Sequence, residues 1–345
     1  MPEPIQTLLP FEDQEAVAFQ SLPVHSLFRA LHRRPIIIVE IYSRKLELQP
    51  YIDAARQLSA VGVDAFSLAD NAFAQPMPAP MVLSPFLQAK TGLEFIPHMT
   101  PRDRNALALH ADLTGGHLCG VNAVLVISGD CISLTKLRNT SGKPISRTSD
   151  LRNSVELMKM IAELNQGRDL NGSRLKGQTD LLIGAACNPN ANSMEEEFKR
   201  LNKKATAGAS FAFSQIVYDA DKIRQCYQAS KQMNIPIFVG VAPLVSEGFA
   251  KFAEEQIVCK PFPESIRQRL AATGNDRVAY RQVGITIAQE LSDVAIGCGA
   301  PGIYLVIAIE QVSAAIEVVA HIRQTTERWL AAFPKLRSKA ADAVG

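Results

Sequence analysis

Polar side chains interrupt the most apolar runs of this sequence, and they gather at the C-terminal ends of those runs. Glu40 lies in PIIIVEIY (35–42), Asp70 and Asn71 follow DAFSLA, and His98 sits in LEFIPHM (93–99) with Thr100 and Arg102 just beyond. NAVLVIS (122–128) runs into Gly129 and Asp130, and SFAFSQIVY (210–218) carries Gln215. A carboxylate taken from water without a partner is costly, so two acids at core boundaries call for a ligand, a partner or a mechanism. For Glu40, apolar flanks raise the carboxyl pKa and suit it to giving up a proton near neutral pH. The other reading is an ion pair with Arg44 or Lys45. Asp130 either faces a reaction as an ionised group or caps the backbone N–H groups of the loop that follows. His98 reads equally as a functional imidazole or a satisfied structural one. A metal site is not expected, because no second histidine stands at ligand spacing and His110 and His117 fall on an outer helix.

The elements that must position these groups are legible as a repeat. Eight short apolar runs (35–42, 64–70, 93–99, 122–128, 180–187, 210–218, 235–241 and 302–308) alternate with amphipathic stretches such as 48–62, 155–165, 194–208 and 219–233. Near-continuous apolar strands separated by helices predict a parallel sheet covered on both faces. Eight such units predict an α/β fold, a (β/α)8 TIM barrel, whose catalytic groups stand at the C-terminal strand ends. No GxGxxG follows the first strand, which weakens a doubly wound dinucleotide-binding reading. Gly62 and Gly208 stand where helices should terminate. The expected organisation is an N-terminal helical extension over 1–34 containing VHSLFRALHRR, a barrel over 35–330 and a tail over 331–345. The Ser/Thr/Gly-rich stretch 131–150 is long enough for a functional loop.

Lys and Arg number 36 against 34 Asp and Glu, a net charge of +2, too small for a general nucleic-acid or membrane-surface field. An anion site would have to be local. Arg200, Lys203 and Lys204 are candidates for a phosphate contact, or else form an exposed face paired in the manner of Glu196–Arg200. Lys143 and Arg147 are equally open. The six cysteines are scattered without CxxC and read as reduced thiols of a cytoplasmic protein. The N-terminus lacks the pattern of a signal peptide, and no uncharged apolar run reaches spanning length.

Taken in order, VEIY, SLADN, PHMTPRDRN, GVNAVLVISGD, NKKATAGASFAFSQIVYD, GVAPLVS and GAPGIYL resemble the methylenetetrahydrofolate reductase family from about residue 35 to 325. With DRN and GRDLNGSRL, the chain looks most like its bacterial single-domain or acetogen-type members. The resemblance implies a flavin-bearing barrel that reduces 5,10-methylenetetrahydrofolate to 5-methyltetrahydrofolate. Glu40 would be the general acid at folate N10, Asp130 would stabilise the resulting 5-iminium cation, and Gln215 would hydrogen-bond the pterin, with Asp70 and Asn71 also in the substrate site. His98, Thr100, Arg102, Gly129 and Asp130 would contact FAD, with Lys204 at its phosphates and Arg147 over its adenosine. NAD(P)H would supply electrons, directly or through a partner subunit, and the resemblance leaves room for a homo-oligomer.

The chain departs from the family pattern at Ala69, Ser128 and Cys187, each a lost flavin contact, and at Ala308 and Ile309, where a polar and basic pair would face the folate tail. Phe249 is the candidate for stacking on nicotinamide. Two alternatives follow: a folate reductase that uses a soluble hydride donor without flavin, or a folate-binding or methyl-transfer component without reductase activity.

Overall fold

The computed structural model describes residues 34–129, 150–230, 233 and 235–332, with side chains as far as residue 328. Asp130, Arg147, the rest of the 131–149 stretch, the extension before Arg34 and the tail after Ala332 lie outside the described residues. Eight parallel strands close a barrel in sequence order: β1 (Ile36–Tyr42), β2 (Ala65–Leu68), β3 (Glu94–Met99), β4 (Ala123–Val126), β5 (Leu182–Cys187), β6 (Ala209–Ile216), β7 (Ile237–Val241) and β8 (Gly302–Ala308). β1 pairs with β8 along its whole length, Ile36 opposite Gly302 through Tyr42 opposite Ala308. The expected TIM barrel is the observed fold.

The strands read as unbroken apolar runs because both faces are buried. In β1, Ile36 and Ile38 point into the barrel, while Ile37, Val39 and Ile41 pack outward under the helices. Covering each such side chain contributes about 1.5–3 kcal/mol. The interior is filled by Ile36, Ile38, Ile96, Leu125, Phe211, Phe213 and Tyr304. Gly184 of β5 leaves room for that filling, since a Cβ there would stand 2.5 Å from the Phe211 ring.

The outer layer comprises α1 (Gln49–Ala60), α2 (Pro80–Thr91), α3 (Ala106–Leu118), α4 (Ser154–Asn165), α5 (Met194–Thr206), α6 (Ala220–Ser230), α7 (Glu247–Phe252), α8 (Glu264–Ala271), α9 (Arg277–Gly297) and α10 (Val312–Ala332). Gly62 and Gly208 take the expected left-handed conformation after α1 and α5, at φ 104° and 109°. The structure differs from the simple repeat between β7 and β8. Three helices and a π-helical turn (Ala253–Val258) fill that connection: the two prolines of CKPFPES part the turn from α8, and Gly274 at φ 56° with Asp276 as the next cap parts α8 from α9. No described helix is long and apolar enough to cross a membrane.

Candidate active site

At the C-terminal ends of the strands opens a cavity of about 450 Å³, where barrel enzymes carry their chemistry. Period-two alternation puts Glu40 in it, two residues beyond Ile38 on the inner face of β1. The Tyr304 hydroxyl donates a hydrogen bond to Glu40 Oε2. That hydroxyl also lies 3.2 Å from His98 Nε2 and 3.2 Å from Ser67 Oγ, and the last two are themselves 3.2 Å apart. His98 Nε2 stands 3.9 Å from Glu40 Oε2. Four strands, β1, β2, β3 and β8, thus contribute one polar group each to a single buried cluster. Tyr304 is held in place by stacking on Phe213, with ring centroids 4.2 Å apart and planes 20° apart.

Burial sets the charge states. Desolvation raises the Glu40 carboxyl from 4.5 to about 7, against the opposing effect of the Tyr304 hydrogen bond. Desolvation also lowers His98 from 6.5 to about 3, so the imidazole stays neutral. The Tyr304 phenol is pushed well above its ordinary value by burial, with the Glu40 charge adding to the rise. The cluster can therefore hold one exchangeable proton near neutral pH, on Glu40, with neutral partners around it. Neither pairing expected as the alternative for Glu40 occurs: Lys45 meets Glu310 at 3.3 Å and Arg44 meets Gln75 at 3.0 Å.

The rest of the wall is largely apolar. Gln215, Ala69, Ala308, Phe249 and Phe252 line the cavity, as does the end of the π-helical turn through Gln256 and Ile257. Such turns recur at functional sites. Phe73 meets Phe252 edge-on with centroids 4.9 Å apart, which joins the loops after β2 and β7. Asn71, Phe73 and Ala74 have φ of 46°, 55° and 49°, a left-handed run that costs about 1 kcal/mol or more per residue. It turns the Phe73 ring to the cavity. Ala308 stands on the wall as expected, whereas Ile309 packs into the outer core.

Several residues expected at the site turn out to be engaged elsewhere. Asp70 borders the cavity, but its oxygens accept from Arg104 at 2.7 and 3.2 Å and from the Thr100 N–H at 3.0 Å. Asn71 donates to Asp103 and accepts from the Met77 N–H. Arg102, only 4% exposed, donates to Asp103 and to the Asn71 carbonyl. PRDRN is therefore the brace of the β2 and β3 loops, and Asn105 at its end caps α3. In α5 exposed Lys199 pairs with Glu195 and Glu196, and Arg200 reaches the buried Glu197, in place of Glu196–Arg200. Cys187 faces the helix layer beside Met194 and Cys226, on the outward parity of β5, so its identity does not shape the cavity.

The fit to a flavin can be read from the residues themselves. Gly129, at φ 77°, packs so tightly on Thr100 and Arg102 that a Cβ would lie 3.2 Å from the Cβ atoms of both. Thr100 Oγ1 is buried behind Gly129 without a hydrogen-bond partner among the described residues, and Thr100 does not itself line the cavity. Ser128 instead shares a hydrogen bond with Ser154. Lys204 reaches the wall from behind, donating to the carbonyl of the lining residue Ala186 at 2.6 Å. The apolar wall, with Gly129 and His98 on it, fits a planar ring system. No lysine or arginine among the described residues lines the cavity itself.

A model of the methylenetetrahydrofolate reductase family matches residues 44–323. The 5,10-methylenetetrahydrofolate reductase of Escherichia coli is 26% identical over 212 residues, covering 59% of this chain and 62% of that protein. Methylenetetrahydrofolate reductase 1 of Schizosaccharomyces pombe is 24% identical over 209 residues, covering 59% of this chain and 31% of that protein. The alignment thus spans less than two thirds of either relative. Among solved structures, an uncharacterised Clostridium thermocellum protein that binds two copies of 5-methyl-5,6,7,8-tetrahydrofolic acid matches with a TM-score of 0.57. The two are 14% identical, over 86% of this chain and 98% of that one, a likeness of fold.

Proposed function

The chain belongs to the methylenetetrahydrofolate reductase family, and on that premise we propose that it reduces 5,10-methylenetetrahydrofolate to 5-methyltetrahydrofolate with Glu40 as the general acid. The observation that carries this is the raised carboxyl of Glu40, titrating at about 7 at the floor of an apolar cavity. The five-membered ring of the substrate opens when its bond from the bridging carbon to N10 breaks. Glu40 supplies the proton that N10 takes up, and the bridging carbon stays on N5 as an iminium cation. A hydride then reduces that carbon to methyl. Asp130 would set its negative charge against the cation. Gln215, exposed on the cavity wall, offers an amide to the pterin edge. Asp70 and Asn71 act through the loops they brace.

FAD, when bound, supplies the hydride; Gly129 and His98 would flank its ring system, with Thr100 packed behind Gly129, and Lys204 would stand behind Ala186. NAD(P)H would return the electrons, with Phe249 available to stack on the nicotinamide. A second reading, direct hydride transfer from a soluble donor without flavin, is favoured by two positions where a flavin contact is missing: Ala69 lines the cavity with no polar side chain, and Ser128 is engaged by Ser154. The visible spectrum of the protein after incubation with FAD and desalting separates the two. Retained flavin bands are expected under the first reading. Protein that stays colourless yet turns over with a reduced nicotinamide would establish the second.

The folate chemistry itself is tested by oxidation of 5-methyltetrahydrofolate with an artificial acceptor, and in the forward direction with each donor. Glu40→Gln should lower the forward rate by a factor of about 10²–10⁴. The parent's forward rate should fall as pH rises through about 7, where Glu40 loses its proton. Equal rates for parent and variant would remove Glu40 from the reaction.

A further inference from the structure

Glu40 must exist in two states if it is to give and regain a proton, and each state needs different hydrogen-bond partners. An ionised carboxylate only accepts, whereas a carboxylic acid must also donate. Inside a barrel, a state whose donor or acceptor goes unmet is heavily disfavoured. The groups around Glu40 meet both demands. With Glu40 ionised, the Tyr304 hydroxyl donates to Oε2, as observed. With Glu40 protonated, the carboxyl O–H can donate to the phenol oxygen, and the phenol O–H can swing to His98 Nε2 at 3.2 Å. Ser67, fully buried and 3.2 Å from both Tyr304 and His98, fills the remaining position in either arrangement.

From this geometry we propose that Tyr304 is a positioning residue for the proton donor, and that Tyr304, His98 and Ser67 form a reversible hydrogen-bond switch that accommodates Glu40 in both protonation states. The inference rests on the reading of Glu40 as the acid. The phenol transfers no proton in this scheme; its O–H reorients, and the proton count of the cluster changes only at Glu40. His98 must keep its proton on Nδ1, so that Nε2 is free to accept. Among the described residues, the titratable groups in contact with Glu40 from the packed strands are Tyr304 on β8 and His98 on β3, with Ser67 on β2 as the neutral neighbour of both.

The switch makes two predictions of opposite sign. Tyr304→Phe removes the donor to the ionised state and the acceptor of the protonated one; the bond to the charged group is the stronger, so the Glu40 titration should move upward by about one pH unit, the difference between the two. His98→Leu removes the acceptor that the protonated state needs and should move it downward. Infrared difference spectra recorded across a pH series, with the Glu40 carboxyl band identified by its absence in Glu40→Gln, read this without any turnover. Failure of the proposed reductase activity would therefore leave this test standing. Circular dichroism shows which variants are folded, and the opposed pair means that either one alone still reports a sign. Loosened packing that admits water would lower the carboxyl in both variants. Shifts of the same sign, or no shift in a folded Tyr304→Phe, would overturn the proposal.

Discussion

Replacing Glu40 by Gln should stabilise the fold above neutral pH, by an amount that follows from its burial. The side chain is 15% exposed and titrates at about 7 in the folded chain against an ordinary 4.5. Between those values the folded state holds a proton that the unfolded state has lost, so stability falls as pH rises. At about 1.4 kcal/mol per pH unit, the full cost is about 3 kcal/mol above pH 7 and vanishes below pH 4.5. Glutamine keeps the shape, accepts from Tyr304 and carries no charge. The variant should match its parent near pH 4 and exceed it by about 3 kcal/mol at pH 8. His98 runs the other way: its folded value of about 3 lies below 6.5, so its contribution grows as pH rises from about 3 to 6.5. That slope masks Glu40 in the parent between pH 4.5 and 6.5, which is why the difference between the two proteins is the quantity to measure. Urea titrations at several pH values, compared through their midpoints at a common m-value, give it directly. A variant less stable than its parent at pH 8, or a difference independent of pH, would refute the raised carboxyl.

Two further substitutions test the scaffold. Arg104→Ala leaves Asp70, 2% exposed, without its bidentate partner and should cost about 3–5 kcal/mol in denaturant unfolding. A loss below about 1 kcal/mol would show that Asp70 finds water and is free to meet a ligand. Gly284→Ala would put a Cβ 2.0 Å from the Leu244 carbonyl oxygen, a backbone clash between α9 and the loop after β7. It should cost more than about 4 kcal/mol and abolish soluble folded protein, whereas a normal melting curve would show that α9 can shift.

The residues that sequence reading placed well, and those it did not, differ in how their direction is decided. Glu40 and His98 lie within strands, where alternation is strict, so inward-pointing Ile38 and Ile96 carry the polar residue two positions later to the same face. The same alternation held the signal for Tyr304. GIYLVIA looks like plain core, but β8 pairs with β1 and sets Tyr304 opposite the inward Ile38. A buried tyrosine needs a partner for its hydroxyl, and Glu40 lies one turn of the pleat above. Reading each strand alone hid a contact made between the first and the last.

Asp70, Asn71 and Arg102 sit two or three residues past a strand end, where the backbone leaves strand geometry and parity no longer applies. Asn71 turns at φ 46°, and nothing local says that Arg104 would take Asp70 while Arg102 takes Asp103. Burial decided it: a carboxylate 2% exposed is tolerable only with a partner at hand. PRDRN supplies two arginines and one aspartate beside the Asp70–Asn71 corner, so its charges are consumed in holding the loops. That leaves Glu40 as the cavity's one described carboxyl without a cation: desolvation holds its proton, and its described hydrogen-bond partner is the neutral Tyr304 phenol.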